Sequence, residues 1–446
     1  MGQRALVYGL AVAGQAAARA LLARGYDVMA ADDRAGDGVE VARALGIDFY
    51  EQPSPVKLER LMAKADVVVP SPGVPEHHAL MAAAANAEVP LRTEIDLAWE
   101  WEQARPDGPR PMVAITGTDG KTTTTMMAVA MCEASGRRAV AAGNTDVPLV
   151  SALDLDVDVF VVECTSFRLA YISCFAPATA VWLNLAEDHL DWHRSMDTYA
   201  AAKARIWERQ GSSDVAIGFA DDPVVMSYLA AAPARRVTFA LEGADYHVAN
   251  GHLSGPAGSI APLGAMRRSL PHDITNALAA SAATLEAEVA TPDGVAAALA
   301  SFDGVAHRIA LVADAGGIAW YDDSKATTPH AAVTAIRAFP SVVLIAGGRN
   351  KGLDLAAMAA APDRMRAVVA IGEAAADIES AFAGSCPVVT AASMDAAVEE
   401  AAQLARCGDA VLLSPGCASF DWYQNYGARG DDFARAVRLH LAEATR

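Results

Sequence analysis

Short apolar runs alternate with longer Ala-rich stretches from one end of the chain to the other. Apolar runs of this length, bounded by Gly, Pro and Asp, predict buried strands, and the Ala-rich stretches between them predict helices. Strands and helices that alternate in this way are typical of parallel sheets covered by helices, so we predict an α/β fold. The predicted strands are Arg4–Tyr8, Val28–Ala31, Val67–Pro70, Met112–Thr116, Val159–Glu163, Thr179–Leu183, Val342–Ala346, Ala367–Ile371 and Ala410–Leu413.

The local composition changes at two places, which we interpret as domain boundaries. A Pro- and Gly-rich connector, Arg105–Pro111, follows a predicted helix around Ile95–Gln103, and a second break lies near Ser301–Val305. The segment Ala240–Leu270 predicts small strands or loops within the middle domain. At about 100–200 residues per domain, a chain of 446 residues favours three domains. The predicted domains are residues 1–96, 97–304 and 305–446.

The overall composition narrows the class of protein. Hydrophobic residues make up 53% of the chain, far more than a disordered chain carries, so several cores can be buried. The formal net charge of −19 disfavours nonspecific binding to nucleic acid or to an anionic membrane surface. Local groups must therefore hold any phosphate-bearing ligand. The sequence contains no uncharged apolar run of about 18 residues, so we predict no membrane insertion.

The cysteines and the N-terminal residues help to predict the cellular compartment of the protein. The six Cys residues form no CxxC pair and no cluster with His, which argues against a zinc site or a disulfide framework. The apolar run after Arg4 superficially resembles a signal peptide, but Arg19 and Arg24 follow it without a convincing cleavage site. We interpret this run as a first strand and turn, and we expect a cytoplasmic protein.

A glycine-rich loop lies between the fourth predicted strand and a predicted helix over Thr122–Glu133, the order that a phosphate cradle needs. Gly117 and Gly120 let backbone N–H groups face the phosphates, Lys121 reaches the β- and γ-phosphates, and Thr122 offers a hydroxyl to Mg²⁺. The two glycines are separated by two residues, where the standard motif has four. The pattern predicts an ATP-binding loop, with an ordinary turn as the alternative.

A second nucleotide question concerns the first fifty residues. The segment Gly9–Gly14 follows a strand and opens a helix, and Asp32 or Asp33 closes the next strand, as in a dinucleotide-binding fold. Ala11 replaces the middle glycine of that motif, and Ser71–Gly73 follows another strand end. The pattern leaves three interpretations open: an NAD site, a site for a diphosphate-sugar, or a structural turn.

Acidic and basic residues gather after predicted strand ends. Glu163 ends one strand and His189 lies in the acidic segment after the next, where open α/β sheets place ligand groups, so both are candidate Mg²⁺ ligands. A single His is more often structural than a metal ligand. Lys203 lies on a predicted helix, and without further context the sequence favours a solvated surface lysine there. Near the C-terminus, Asp322–Thr327 and Gly347–Gly352 suit phosphate or carboxylate binding, with solvated loops as the alternative.

Taken together and in order, these segments resemble the Mur ligase family over essentially the whole chain. The Asp-Ser-Lys-Ala-Thr segment favours the members that add D-glutamate, and the Asp-Asn-Pro-Arg motif of the members that add diaminopimelate or lysine is absent. The segments that carry the resemblance are Gly9–Gly14, Ser71–Gly73, Thr116–Thr123, Gly143-Asn144, Glu163–Phe167, Glu187–Asp191 with Lys203, Asn276–Ala280, His307-Arg308, Asp323–Thr327, Gly347–Gly352 and Leu413–Ser419.

The resemblance implies an ATP- and Mg²⁺-dependent ligase of peptidoglycan biosynthesis. ATP would phosphorylate the carboxylate of UDP-N-acetylmuramoyl-L-alanine, and the amine of D-glutamate would attack the acyl phosphate to form an amide. The resemblance also suggests a monomer, and the net charge argues against nucleic-acid partners. Its domains would be a Rossmann-like domain for the UDP-sugar, a central P-loop ATPase-like domain and a Rossmann-like C-terminal domain for the amino acid.

The resemblance also implies which residues make each contact. The residues nearest the chemistry would be Lys121, Asn144, His189, Lys203, Lys325 and Lys351. ATP would contact Gly117, Thr118, Asp119, Gly120, Lys121, Thr122, Thr123, Asn276, His307, Arg308 and Asp323. The UDP-sugar would contact Gly14, Asp32, Asp33, Arg34, Ser71, Pro72, Gly73, Asn144 and Thr165. D-glutamate would contact Thr327, Lys351, Ser419, Phe420 and Tyr426. Mg²⁺ would bind Thr122, Glu163, His189 and Lys203, the last carrying a carbamate formed with CO₂.

The sequence departs from the family pattern at four positions. Ala11 stands where glycine is customary, Thr165 where serine is common, Asp273 where asparagine is common and Tyr426 where phenylalanine often lies near the D-glutamate pocket. Three other functions compete with the ligase. A folylpolyglutamate synthase of the same fold would lack the first domain, an NAD-dependent oxidoreductase would leave the ATP loop unexplained, and a guanine-nucleotide switch would need an Asn-Lys-x-Asp segment.

Overall fold

The structure is a computed structural model that describes residues 2–34, 36, 38–190 and 192–444. The chain divides into two compact units, Met1–Phe302 and Asp303–Arg446, and each is described by itself below. No helix in the described part of the chain combines the length and the apolar character that crossing a membrane requires.

The N-terminal unit begins with a parallel sheet in the order β3-β2-β1-β4. Strands β2 and β3 lie on one side of β1, and β4 lies on its other side. Open α/β sheets bind ligands at the carboxyl ends of the strands where the strand order reverses in this way. The strands are β1 (Arg4–Tyr8), β2 (Asp27–Asp32), β3 (Asp48–Glu51) and β4 (Val67–Pro70). The helices are α1 (Val12–Ala23), α2 (Gly38–Leu45), α3 (Pro55–Met62), α4 (Ala79–Asn86) and α5 (Glu94–Gln103).

A second parallel sheet follows in the same unit, in the order β10-β9-β8-β5-β7-β6. Its strands are β5 (Met112–Thr116), β6 (Ala139–Gly143), β7 (Val159–Glu163), β8 (Thr179–Trp182), β9 (Val215–Phe219) and β10 (Arg235–Phe239). Its helices are α6 (Lys121–Ala134), α7 (Leu149–Ala152), α8 (Ser166–Leu169), α9 (Met196–Ala204), α10 (Pro223–Leu229), α11 (Pro271–Glu286) and α12 (Pro292–Ser301). A small antiparallel sheet contains β11 (His247–Ala249), β12 (His252–Gly255) and β13 (Gly258–Pro262).

The middle of the second sheet is buried on both faces. Every residue of β5, β7 and β8 is buried, as expected for central parallel strands covered by helices. The Ala-rich helix α11 packs on α6, because its small side chains let the two helices approach closely. Since β5 pairs with both β7 and β8, the carboxyl ends of these strands lie side by side.

The C-terminal unit contains a mixed sheet in the order β14-β15-β19-β16-β17-β18, in which only β14 and β15 pair antiparallel among the described residues. Its strands are β14 (Ala310–Ala315), β15 (Ile318–Asp322), β16 (Val342–Gly347), β17 (Met365–Ile371), β18 (Val388–Ala391) and β19 (Ala410–Leu413). Its helices are α13 (Pro329–Arg337), α14 (Ala375–Ala381), α15 (Met394–Leu404) and α16 (Tyr426–Ala444). Short 3₁₀ turns occupy Arg205–Trp207 and Leu263–Ala265 in the first unit, and Leu355–Ala359 and Pro362–Arg364 in the second.

The predicted α/β fold is confirmed, and every predicted strand is present. The strand predicted over Thr179–Leu183 ends one residue earlier, at Trp182, and the segment Ala240–Leu270 does contain short strands. Sequence reasoning missed β3, β6, β9, β10, β14, β15 and β18. The three-domain division remains a prediction.

Asp96 joins helix α5 to the segment that follows α8. Its carboxylate is fully buried and accepts hydrogen bonds from the backbone N–H groups of Ser173 at 3.0 Å, Cys174 at 3.0 Å and Phe175 at 3.1 Å. It also accepts bonds from the backbone N–H and the hydroxyl of Thr93, at 3.0 and 2.9 Å, which closes the capping box at the start of α5. One carboxylate thus satisfies a set of buried donors on two segments.

We expect Asp96→Ala to lower the free energy of unfolding of the N-terminal unit by about 3 kcal/mol, because several buried N–H groups lose their acceptor. Urea unfolding followed by circular dichroism measures the change. Asp107→Ala is the matched control, because that side chain is 86% exposed, and it should change stability by less than about 0.5 kcal/mol. Equal effects of the two substitutions would contradict the role of Asp96.

Candidate active site

The loop between β5 and α6 is held by the segment that follows β8. The backbone N–H groups of Thr118 and Asp119 each donate to Oδ1 of Asn184 at 2.9 Å. The Thr118 hydroxyl lies 3.1 Å from the hydroxyl of Tyr199 on α9. The loop is therefore fixed from two sides, and a preorganised loop can bind phosphates without first paying for its own ordering.

Gly120 begins helix α6 in a conformation that suits glycine. Its φ is 80°, and a Cβ at this position would lie 2.6 Å from Oδ1 of Asn276 and 3.3 Å from Cδ1 of Leu183. Asn276 Oδ1 also accepts a hydrogen bond from the Thr124 hydroxyl at 3.2 Å, so α11 lies directly against the loop. No side chain in the described part of the chain caps α6, which leaves the positive end of the helix dipole for an anion.

Two lysines from different helices share the backbone carbonyl of Gly117. Lys121 donates to this oxygen at 2.9 Å and to the Thr118 carbonyl at 2.8 Å, and Lys203 donates to the Gly117 oxygen at 2.7 Å. Lys203 is 1% exposed, and its ammonium lies 4.6 Å from the ring of Tyr199. Burial, and then the charge of Lys121, lower the pKa of Lys203 well below its ordinary value. The interpretation of Lys203 as a solvated surface lysine is therefore wrong.

Glu163 ends β7 opposite Ile115 of β5, which brings its carboxylate to the start of the loop. The side chain is 2% exposed, and its Oε1 accepts a hydrogen bond from Nδ2 of Asn144 at 2.8 Å. The other oxygen, Oε2, is buried and has no hydrogen-bond partner among the described residues. A buried carboxylate oxygen of this kind is costly unless a cation binds it. Glu163 therefore fits a Mg²⁺ ligand, because Mg²⁺ typically takes one or two carboxylates together with substrate phosphates.

His189 lies near the same strand ends. Its φ is 57°, and its backbone N–H donates to Oδ1 of Asp188 at 2.8 Å. Its ring atom Nε2 lies 3.2 Å from Oδ2 of Asp188. Its ring lies 4.6 Å from that of Phe167 and 6.2 Å from that of Tyr199, the ring that Lys203 also contacts. Within residues 2–34, 36, 38–190 and 192–444, no three His, Cys, Asp or Glu side chains converge as a metal site. Thr122 follows Lys121 in the first turn of α6, and Thr123 is buried beside it.

The first sheet carries the residues predicted to bind a UDP-sugar. The Ser71 hydroxyl donates to the carbonyl of Gly9 at 2.6 Å, and a Cβ at Gly14 would lie 1.8 Å from the same oxygen. Helix α1 therefore starts tightly against the end of β1, and Ala11 caps it without a side-chain hydrogen bond. Of the other predicted residues, Arg34 and Gly73 are exposed and Pro72 is half-buried, and Thr165 caps α8 near Asn144.

Asp32 ends β2 and Asp33 follows it, and the side chains of both already form hydrogen bonds within the protein. Asp32 accepts hydrogen bonds from the backbone N–H of Leu10 at 2.9 Å and of Arg34 at 3.1 Å. Asp33 accepts a hydrogen bond from the Tyr8 hydroxyl at 2.6 Å, and its other oxygen lies 3.0 Å from Nε2 of His78. These carboxylates hold the loop after β1, and their contact with a ligand stays a prediction.

In the C-terminal unit, the acidic residues at the end of β15 bond to neighbouring segments. Nδ1 of His307 lies 2.7 Å from Oδ2 of Asp322. Asp323 is buried and accepts hydrogen bonds from the Ser414 hydroxyl at 2.7 Å and the Ile309 N–H at 3.3 Å. Burial raises the pKa of Asp323 to about 7, against the opposing effects of Ser414 and of the Arg308 charge. The carboxyl group therefore titrates near neutral pH.

The residues predicted to bind an amino acid follow β15, β16 and β19, which neighbour one another in the sheet. The Lys325 ammonium lies 5.3 Å from the ring of Tyr426. Ser419 is buried, whereas Phe420 and Tyr426 are 60% and 37% exposed. Thr327 is half-buried and Lys351 is exposed. The exposed rings lie beside buried polar groups, as expected of a ligand site.

Two residues that hold predicted site residues in place were not predicted from the sequence. Asn184 holds the phosphate loop, and its place immediately after the β8 strand end was an available signal. Arg168 is 8% exposed, and its Nη2 donates to the carbonyl of Gly143 at 3.0 Å, next to Asn144. Its helix, α8, spans only four residues, so no periodic pattern marked it as buried.

We expect Gly120→Ala to raise the Kd for ATP by about tenfold or more, because the new Cβ would displace Asn276 and strain the loop. Titration with a fluorescent ATP analogue measures the change. Gly136→Ala is a matched control at the other end of α6, since its φ is 79° and nothing lies within 4 Å of the added Cβ. Comparable weakening by both substitutions would show that the crowding at Gly120 is irrelevant to binding.

Comparison with known proteins gives matches over both units. Residues 115–284 match the Mur ligase middle domain, and residues 307–417 match the Mur ligase glutamate ligase domain. The UDP-N-acetylmuramoylalanine--D-glutamate ligase of Frankia casuarinae is 45% identical over 460 residues, covering 98% of this chain and 94% of the relative. The enzyme of the same name from Thermobifida fusca is 39% identical over 470 residues, covering 98% of each chain.

Solved structures share the fold at low sequence identity. MurF from Acinetobacter baumannii aligns with a TM-score of 0.58 at 18% identity, covering 84% of this chain and 92% of that chain. The UDP-N-acetylmuramate-alanine ligase MurC from Thermotoga maritima aligns with a TM-score of 0.57 at 17% identity, covering 100% of both chains. These likenesses support the fold alone. The full-length sequence identities and the two matched domain models show that this chain belongs to the Mur ligase family.

Proposed function

We propose that this protein is a cytoplasmic, ATP-dependent ligase that joins D-glutamate to UDP-N-acetylmuramoyl-L-alanine during peptidoglycan biosynthesis. The observation that supports the proposal is the convergence, at one end of the central sheet, of the glycine-rich loop, a buried lysine and a buried carboxylate oxygen that has no partner among the described residues. The names of the full-length relatives supply the substrates.

The loop and the start of α6 would bind the triphosphate. Backbone N–H groups and the helix dipole attract its charge, and Lys121 would exchange the carbonyls of Gly117 and Thr118 for phosphate oxygens. Thr122, Glu163, His189 and the carbamate form of Lys203 would hold Mg²⁺, which neutralises phosphate charge when bound. Catalysis of phosphoryl transfer rests mainly on such positioning and charge neutralisation.

The chemistry proceeds in two displacements. A carboxylate oxygen of UDP-N-acetylmuramoyl-L-alanine forms a bond to the γ-phosphorus of ATP, and the bond between that phosphorus and the leaving ADP oxygen breaks. The amine of D-glutamate then forms a bond to the acyl carbon, phosphate leaves with its bridging oxygen, and the nitrogen loses a proton. Asn144, which donates a hydrogen bond to Glu163, would orient the acceptor carboxylate.

Three domains would share the substrates, with residues 1–96 for the UDP-sugar, 97–304 for ATP and 305–446 for the amino acid. The uncapped start of α1 and the turn at Ser71–Gly73 suit a diphosphate. His307, Arg308 and Asp323 would contact ATP together with Asn276. Lys325 and Lys351 would lie near the reacting groups, and D-glutamate would contact Thr327, Lys351, Ser419, Phe420 and Tyr426.

Lys203 has the environment that carbamate formation needs. Its low pKa favours the neutral amine, which can form a bond from Nζ to the carbon of CO₂ and lose a proton. The product is an anion beside Lys121, so it would be attracted to the Lys121 ammonium. The carbamate would also add an oxygen ligand for Mg²⁺.

The substrates can be tested in one assay. Purified protein with UDP-N-acetylmuramoyl-L-alanine, ATP and Mg²⁺ should release phosphate when D-glutamate is added and not when L-glutamate is added. Omitting the UDP-sugar provides the control for uncoupled ATP hydrolysis. Equal turnover of L-glutamate would reassign the amino-acid specificity, and no turnover with either enantiomer would refute the proposed reaction.

Lys203→Arg should reduce ligase turnover by at least about 100-fold, because arginine keeps the positive charge but cannot form the carbamate. ¹³C NMR under ¹³CO₂ should show a carbamate signal in the wild-type protein that the variant lacks. Lys64→Arg, at an exposed position, is the matched control and should change neither measurement. Wild-type turnover by Lys203→Arg would rule out the carbamate.

A further inference from the structure

A buried arginine in the C-terminal unit has no part in the contacts described so far. Arg429 lies in the first turns of α16 and is 1% exposed. Burial lowers its pKa to about 10, so the guanidinium still carries its charge at neutral pH. In the part of the chain that the structure describes, no carboxylate forms an ion pair with Arg429, although the charges of Asp421 and Asp322 favour its charged form. A buried cation without a directly bonded anion is costly, so its other contacts need an explanation.

The guanidinium of Arg429 binds two segments at once. Its Nε donates to the hydroxyl oxygen of Ser324 at 2.9 Å, and its Nη2 donates to the Ser324 carbonyl at 2.8 Å. Nη1 and Nη2 each lie 3.2 Å from the carbonyl of Cys417. The Ser324 hydroxyl in turn donates to the carbonyl of Tyr426 at 2.8 Å. One planar group therefore ties the end of β15, the segment after β19 and the start of α16 together.

These three segments carry Ser419 and Tyr426, which are proposed to contact the amino acid, and Lys325, which is proposed to lie near the reacting groups. Ser324 immediately precedes Lys325, and Cys417 lies two residues before Ser419. Tyr426 begins α16 and faces the Lys325 ammonium. The relative positions of Lys325, Ser419 and Tyr426 thus depend on backbone groups that Arg429 and Ser324 hold in place.

Close packing fixes where Arg429 can lie. A Cβ at Gly348 would lie 3.1 Å from its Nη1, and a Cβ at the next residue, Gly430, would lie 2.2 Å from Nδ1 of His307 and 2.5 Å from Oδ2 of Asp322. Helix α16 can approach this closely because both positions lack a side chain. The guanidinium is therefore held in one place by its neighbours as well as by its hydrogen bonds.

We propose that Arg429 is a positioning residue for the amino-acid substrate, one that fixes Lys325, Ser419 and Tyr426 relative to one another and brings a buried positive charge next to the segments that carry them. Glutamate has two carboxylates, and a cation in a medium of low dielectric attracts an anion more strongly than a solvated cation does. The inference rests on the proposed function and adds to it the side chain that organises the glutamate end of the site.

Arg429→Lys tests the role directly, because lysine keeps the charge but cannot reproduce the planar fork of donors. The KM for D-glutamate should rise by about tenfold, while the KM for UDP-N-acetylmuramoyl-L-alanine stays within about twofold of wild type. Arg435→Lys is the matched control on the same helix, since that side chain is 49% exposed and pairs with Asp395 and Asp432. It should leave both KM values unchanged.

Ser324→Ala provides a second test that does not depend on the folding of the arginine variant. Removal of the hydroxyl should raise the KM for D-glutamate by a smaller factor, about threefold, and the two substitutions together should have less than the product of their separate effects. An unchanged KM for D-glutamate in both variants, with kcat alone reduced, would show a purely structural role and overturn the inference. Absence of D-glutamate turnover by the wild-type protein would instead refute the proposed function, and this inference with it.

Discussion

Two lysine amino groups, those of Lys121 and Lys203, converge on one backbone oxygen, the carbonyl of Gly117, and the other polar groups at this end of the central sheet lie around that pair. The pair is buried on one side, because Lys203 has almost no contact with solvent. Such an arrangement is stable only if the repulsion between the lysines is relieved. Burial and the charge of Lys121 lower the pKa of Lys203, which weakens that repulsion, and a bound triphosphate would weaken it further.

The sheet order explains how so many polar groups reach this point. Strand β5 lies between β7 and β8, so the loop after β5, the carboxylate of Glu163 and the segment with Asn184 and His189 all begin at one edge. Small residues then permit close approach, since Gly120 leaves the space that Asn276 occupies. In the C-terminal unit, the buried side chain of Arg429 forms hydrogen bonds to the segments that follow β15 and β19.

Much of the fold was predictable because central parallel strands are continuous apolar runs. Two of the strands that escaped prediction lack that signal: β6 is rich in Ala, which favours a helix prediction, and every residue of β14, at a sheet edge, is partly or fully exposed. Strand β9 is a largely buried apolar run and was missed all the same. The order of strand, loop and helix around Gly117–Gly120 was predictable from the local sequence, and phosphate binding by this loop stays a prediction. The burial of Lys203 and of Arg429 was not, because each lies in a helix of ordinary composition and becomes buried only through contacts with residues distant in sequence. Likewise, no local pattern shows that the carboxylate of Asp32 accepts a hydrogen bond from the backbone N–H of Leu10.

The most direct measurement follows the oxygen atoms of the acceptor carboxylate. UDP-N-acetylmuramoyl-L-alanine with both carboxylate oxygens as ¹⁸O is converted with unlabelled ATP and D-glutamate, and the released phosphate is analysed by mass spectrometry. If positive charge at the loop drives the γ-phosphate onto the carboxylate, each phosphate should carry one ¹⁸O atom, because the oxygen that attacks phosphorus leaves with it. Amide product accompanied by phosphate that contains no ¹⁸O would contradict this mechanism.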